Sequence, residues 1–138
     1  MTYTVKREIY AAPEIVEYKM TSLSDWENIQ FESSSGKTQE FMEFCKMYKA
    51  TVEQIARDAG LQLVKWSNGH FYCSAFFENP VTAKLVYLCC SDVRFFRNSW
   101  SNNILIRTAK NDTDYSGGTN NTASLETLRA AMARLSTA

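Results

Sequence analysis

Between Thr38 and Ala59 the apolar positions Phe41, Phe44, Cys45, Tyr48, Val52, Ile55, Ala56 and Ala59 recur at intervals of three and four, the spacing that lines side chains along one face of an α-helix. Glu43, Lys46, Lys49, Glu53 and Arg57 fill the opposite face, and Glu53 stands four residues before Arg57, the favoured order for an ion pair along a helix. Thr38 is a suitable N-cap and Gly60 a suitable left-handed stop, so the pattern predicts a helix over 38–59. At about 1.5 Å per residue this helix is ~33 Å long, roughly the width of a small domain.

After Gly60 the period of the pattern falls to two. Segments 61–66, 71–78, 83–91 and 104–108 read as strands; Ser67-Asn68-Gly69-His70 carries an Asn-Gly hairpin signal, and Asn79-Pro80 turns the chain again. Short connections at the first two junctions require antiparallel neighbours, because parallel strands need long crossovers. Leu125, Leu128, Met132 and Leu135 mark the apolar stripe of a C-terminal helix over 123–136, with Thr122 or Ser124 as N-cap and Glu126 in the first turn. Upstream, 3–10 reads as a strand, while 13–18 and 24–31 read as short helices. The expected architecture is a single α+β domain over 1–138: a four- to five-stranded antiparallel sheet packed by the long helix (38–59) and closed by the C-terminal helix (123–136). The order α-β-β-β-(β)-α resembles double-stranded RNA-binding domains at the level of topology. The basic helix start that those modules turn toward phosphates is absent, since 122–128 carries only Glu126.

Composition agrees with a globular chain: 138 residues, 45% hydrophobic and 22% charged, with 15 basic against 15 acidic side chains. Zero net charge excludes capture of nucleic acid or membrane by bulk positive charge. The charge is nevertheless uneven. Residues 1–40 carry four basic side chains (Lys6, Arg7, Lys19, Lys37) against seven acidic ones, whereas 92–112 carries Arg94, Arg97, Arg107 and Lys110 against Asp92 and Asp112. No apolar run is long enough for a transmembrane helix, and the charges within 1–20 leave no apolar region for a signal peptide. A cytoplasmic location follows as the expectation, with Cys45, Cys73, Cys89 and Cys90 read as reduced, small core side chains. The tripeptides beginning at Asn111 and Asn120 fit the glycosylation pattern, which has no meaning without secretion.

Three motifs fail on inspection. Ser35-Gly36-Lys37-Thr38 has the form of the end of a phosphate-binding loop, but Phe31 stands where its first glycine belongs. Asp112-Thr113-Asp114-Tyr115-Ser116-Gly117 has the form of half a calcium loop, yet Ala123 replaces the closing bidentate Glu. His70 is the single histidine, and strand geometry turns it away from Cys73, three residues on. No catalytic residue, metal or cofactor is therefore expected. An enzyme using Asp112 and Asp114 lacks partner groups.

The informative stretch is 92–122. Its first part, Asp92-Val93-Arg94-Phe95-Phe96-Arg97-Asn98-Ser99-Trp100, interleaves basic and aromatic residues, a composition suited to a protein hot spot or to stacking on bases. Its second part joins a strand to a helix through more than a dozen polar residues, longer than most such connections. There Ser116, Gly117, Gly118, Thr119 and Asn120 form a candidate anion-binding loop next to a helix N-terminus. A passive loop, and a strand extension whose aromatics fill the core, are the structural alternatives.

Gly69-His70-Phe71-Tyr72-Cys73-Ser74, Ser91-Asp92-Val93-Arg94-Phe95-Phe96, segment 102–109 and Asp114-Tyr115-Ser116-Gly117-Gly118 together resemble small uncharacterised proteins of bacterial mobile elements and phages. The resemblance covers 60–122 and transfers no active site. It implies a cytosolic accessory protein, anti-defence (anti-CRISPR-like) inhibitors being one population of such chains. The expected function is a non-enzymatic binding protein that occupies a protein partner through Arg94, Phe96, Arg97, Trp100, Arg107, Lys110 and Tyr115. The alternative is nucleic-acid or nucleotide binding through 94–110 and the Gly117-Gly118 loop. Surface aromatics and an exposed sheet edge also allow a homodimer.

Overall fold

The computed structural model describes Trp26 and residues 39–137. The expected elements over 3–10, 13–18 and 24–31, and the Thr38 cap, lie outside the described residues apart from Trp26. The long helix α1 spans Gln39–Asp58. It ends as its sequence demands: Gly60 takes φ 88°, its N–H donates to the Arg57 carbonyl at 3.0 Å, and the Leu61 N–H reaches the Ala56 carbonyl at 2.8 Å. This is a Schellman cap. The Glu53–Arg57 pair forms at 3.7 Å on the solvent face.

Five strands follow: β1 Gln62–Asn68, β2 Cys73–Glu78, β3 Leu85–Cys90, β4 Ile104–Ala109 and β5 Asn121–Ala123, with helix α2 at Leu128–Thr137. They form one antiparallel sheet in chain order, β1-β2-β3-β4-β5. The protein is thus an α+β fold with two helices against one sheet face. Period-two alternation divides the sheet. Cys73, Ala75 and Phe77 of β2, Val86, Leu88 and Cys90 of β3, and Ile104 and Ile106 of β4 join α1 and α2 in the main core. Phe76, Tyr87 and Arg107 stand on the other face, in consecutive register across β2, β3 and β4.

The core beneath α1 is aromatic. Phe44 packs edge-on against Trp26 at 5.8 Å and Trp100 at 5.3 Å, and stacks on Tyr48 at 5.3 Å. The Trp26 indole donates to the Met47 sulfur at 3.1 Å. Tyr48 is fully buried, and its hydroxyl has no hydrogen-bond partner among the described residues.

Three expectations are corrected. The hairpin joining β1 and β2 forms, but their pairing extends to Asn68 opposite Cys73, so the chain reverses over residues 69–72 rather than over 67–70. The reason is Phe71: its ring is buried 4.8 Å from Phe41, and φ of 60° turns the backbone there. Segment 83–91 yields a shorter strand because Ala83, at φ 61°, belongs to the preceding turn. There the Asn79 side chain accepts the Val81 N–H at 2.9 Å. Finally, 121–123 is strand, not loop or helix: Ala123 is buried opposite Ile104, and β5 satisfies the outer edge of β4. The second helix therefore begins at Leu128 instead of 123, after Ser124 and Thr127 cap each other, the Ser124 N–H donating to Thr127 Oγ1 at 2.9 Å and the Thr127 N–H to Ser124 Oγ at 3.2 Å.

Candidate functional site

The connection 91–103 carries most of the aromatic and basic residues singled out by sequence. It leaves the end of β3 and returns at the start of β4, beside the β1–β2 loop. The two loops are joined by the Val93 N–H, which donates to the Phe71 carbonyl at 2.9 Å. Asp92 organises the turn. One of its oxygens accepts the Arg94 N–H at 2.9 Å and Nε at 3.0 Å, while the other accepts Nη2 at 2.6 Å. The guanidinium lies over the Phe71 ring at 4.4 Å and the Phe95 ring at 5.0 Å. The Arg94 hydrogen bonds hold the Asp92 carboxyl below its ordinary range, with His70 adding to the effect.

From this clasp the Phe95 and Phe96 N–H groups both turn back to the Asp92 carbonyl, at 3.3 and 2.8 Å. Further on, Ser99 Oγ donates to the Ser91 carbonyl at 2.8 Å, and the Asn98 carbonyl accepts from Asn102 at 3.0 Å and Asn103 at 2.9 Å. Val93 and Trp100 are buried at either end of this turn. Between those anchors Phe95 is 70% exposed and Phe96 59% exposed. Arg97 follows them on the surface, and His70 and Tyr72 are exposed on the adjoining loop. This is an apolar and basic surface on a tied backbone.

The opposite end of the sheet holds the second half of the stretch. Lys110 follows the end of β4, and Ala109 there pairs with Leu85 at the start of β3. One strand length, about 17–20 Å, separates it from the 91–103 turn. Arg107 is 1% exposed. Its Nη2 donates to the Asp114 carbonyl at 2.6 Å and its Nη1 to the Thr108 carbonyl at 3.0 Å, with the plane 4.5 Å from the Tyr87 ring. The candidate anion loop contains its own anion: one Asp114 oxygen accepts the Gly117 N–H at 2.8 Å and the other the Lys110 N–H at 3.0 Å. Those two backbone hydrogen bonds, with Arg107 adding its charge, lower the Asp114 pKa. A side chain at Gly117 would meet the Asp114 carboxylate at 2.7 Å, and Gly118 takes φ 78° with the Thr108 carbonyl 2.8 Å from where a Cβ would stand, so the loop backbone there is suited to glycine. Tyr115 then lies edge-on over Phe76 at 5.2 Å and Tyr87 at 5.8 Å, covering the outer sheet face, with Lys65 Nζ 5.5 Å from its ring.

The seven contact residues expected from sequence therefore do not form one surface. Phe96 and Arg97 share the exposed turn, and Arg94 shapes it from a mostly covered position. Trp100, 2% exposed, is removed from that surface because its ring is needed between Phe44 and Tyr48. Arg107 is removed because it is buried in hydrogen bonds to the Asp114 loop. Lys110 and Tyr115 are exposed at the other end. Ser116, Gly117, Gly118, Thr119 and Asn120 do not adjoin a helix N-terminus, since β5 intervenes before α2. Phe95, the most exposed phenylalanine among the described residues, was not singled out by sequence. The signal was its adjacency to Phe96, because two consecutive aromatics on a turn cannot both face the core.

Clefts among the described residues lie elsewhere on the surface. One of about 570 Å³ lies between the ends of β3, β4 and α2, lined by Lys84, Leu85, Ala109, Arg134 and Leu135 among others. Another, about 260 Å³, lies between α1 and β1. Among the described residues no group of three His, Cys, Asp or Glu side chains could hold a metal ion, and no helix is long and apolar enough to cross a membrane. Comparison with protein-family models, with curated proteins and with solved structures finds no match for the chain.

Proposed function

We propose that the protein acts by binding, occupying a protein partner through the turn that presents Phe95, Phe96 and Arg97, with Tyr72 and His70 on the adjoining loop at its margin. The observation that carries this reading is the exposure of two consecutive phenylalanines, 70% and 59%, on a backbone fastened by the Asp92–Arg94 clasp. Leaving both rings in water forgoes about 2 kcal/mol each relative to full burial. A tied turn also loses little entropy when a partner covers it. Aromatic side chains beside an arginine are the usual composition of a hot spot. The resemblance to mobile-element proteins directs the first search to host-defence components.

The test is association of the wild-type chain and a Phe95→Ala, Phe96→Ala double variant with a panel of purified defence complexes, in the presence of nuclease and at two salt concentrations. A partner retained by the wild type should bind the double variant at least tenfold more weakly, with little dependence on salt. Both side chains face solvent, so the variant should unfold at an unchanged temperature. Equal binding by both proteins would dismiss the turn as the contact. Complexes lost to nuclease and steeply weakened by salt would assign the surface to nucleic acid instead.

A further inference from the structure

We propose that Cys45 and Cys73 are a peroxide-oxidisable pair whose disulfide fastens α1 to the first residue of β2. Their sulfurs lie 3.5 Å apart in the core, 28 positions apart in the chain. Closing that gap to a covalent bond of about 2.05 Å brings the sulfurs roughly 1.5 Å nearer. Cys45 also lines the 260 Å³ cleft between α1 and β1, together with Lys46 and Lys49. Cys45 is 3% exposed at the floor of this cleft, which is the side from which a small oxidant would approach. Cys73 has no such opening among the described residues: it is fully buried, and Cys90 stands opposite it in the β2–β3 register. The pair is therefore asymmetric, with Cys45 bordering the cleft and Cys73 away from it.

The chemistry balances with hydrogen peroxide as oxidant. The Cys45 sulfur attacks one peroxide oxygen; the S–O bond forms, the O–O bond breaks, and the departing hydroxide takes the thiol proton and leaves as water. Cys73 sulfur then attacks the resulting sulfenic acid. The S–S bond forms, the S–O bond breaks, and the second hydroxide leaves with the Cys73 proton as water. Two thiols are oxidised, one peroxide is reduced, and Lys46 and Lys49 at the cleft offer donors to the departing oxygen. Cys89 lies on the opposite sheet face, away from this pair, and is the internal control.

The experiment treats the full chain with a small excess of hydrogen peroxide, then measures intact mass and maps peptides without reduction. The expected product has lost two hydrogens, links the peptides containing Cys45 and Cys73, melts several degrees higher than the reduced protein, and reverts with dithiothreitol. Cys45→Ser and Cys73→Ser should each abolish the link, Cys89→Ser should leave it intact, and Lys46→Ala with Lys49→Ala should slow its formation severalfold. Circular dichroism of each variant separates loss of the link from loss of the fold. A dominant Cys89 oxidation, a Cys73–Cys90 link, or retention of all four thiols while the urea-unfolded chain reacts would each overturn the assignment.

Discussion

Asp114 shows how much one carboxylate organises. It accepts two backbone N–H groups and stands 3.8 Å from a buried guanidinium, so the loop after β4 closes around it and Tyr115 reaches the outer sheet face. Its pKa is lowered, as is that of Asp92. A depressed carboxylate adds stability above its unfolded pKa of about 3.9, and loses it as pH falls through the folded value. On acidification below pH 4 the loop is expected to open before the sheet unfolds, read as exchange broadening of the Gly117 and Lys110 amide resonances. Unchanged amides down to the global acid transition would refute that order. Tyr48 is the opposite case, a buried hydroxyl with no partner among the described residues. Tyr48→Phe keeps the ring stack and removes an unsatisfied group, so the melting temperature should stay the same or rise. A destabilisation above about 1 kcal/mol in urea denaturation would mean that the hydroxyl does make a compensating bond.

At the scale of elements, the 91–103 turn depends on its buried ends. Trp100 fills the space between Phe44 and Tyr48, and Trp100→Ala should cost about 3–5 kcal/mol in urea denaturation. A loss below about 1 kcal/mol would place the ring outside the core. The turn shows why this region was only half legible from sequence. Basic and aromatic residues in alternation identify it, but no local pattern distinguishes Trp100, which anchors, from Phe96, which is presented. That choice is made by α1, which supplies Phe44 and Tyr48 from more than fifty residues upstream. Helix α1 itself was readable almost to the residue, because one apolar stripe and one glycine define it locally. β5 was hidden for the converse reason: three residues of ordinary polarity become strand only because β4 offers them an unpaired edge.

For the whole molecule, zero net charge conceals a division of labour between the two ends of the sheet. At one end Asp92 and Arg94 hold each other and leave phenylalanines outermost; at the other, Arg107 and Asp114 pair within the protein and close a loop. Much of the basic charge that sequence placed on a contact surface is spent internally. The order of the strands has a separate consequence for how the chain reaches this state. Among the described residues every strand pairs only with its predecessor and successor along the chain, so each ladder closes a loop of modest length and the entropy cost is met in small instalments. The helix that will cover the sheet precedes it. The three-residue β5 ends the series, so on that side the sheet offers another chain only a short rim.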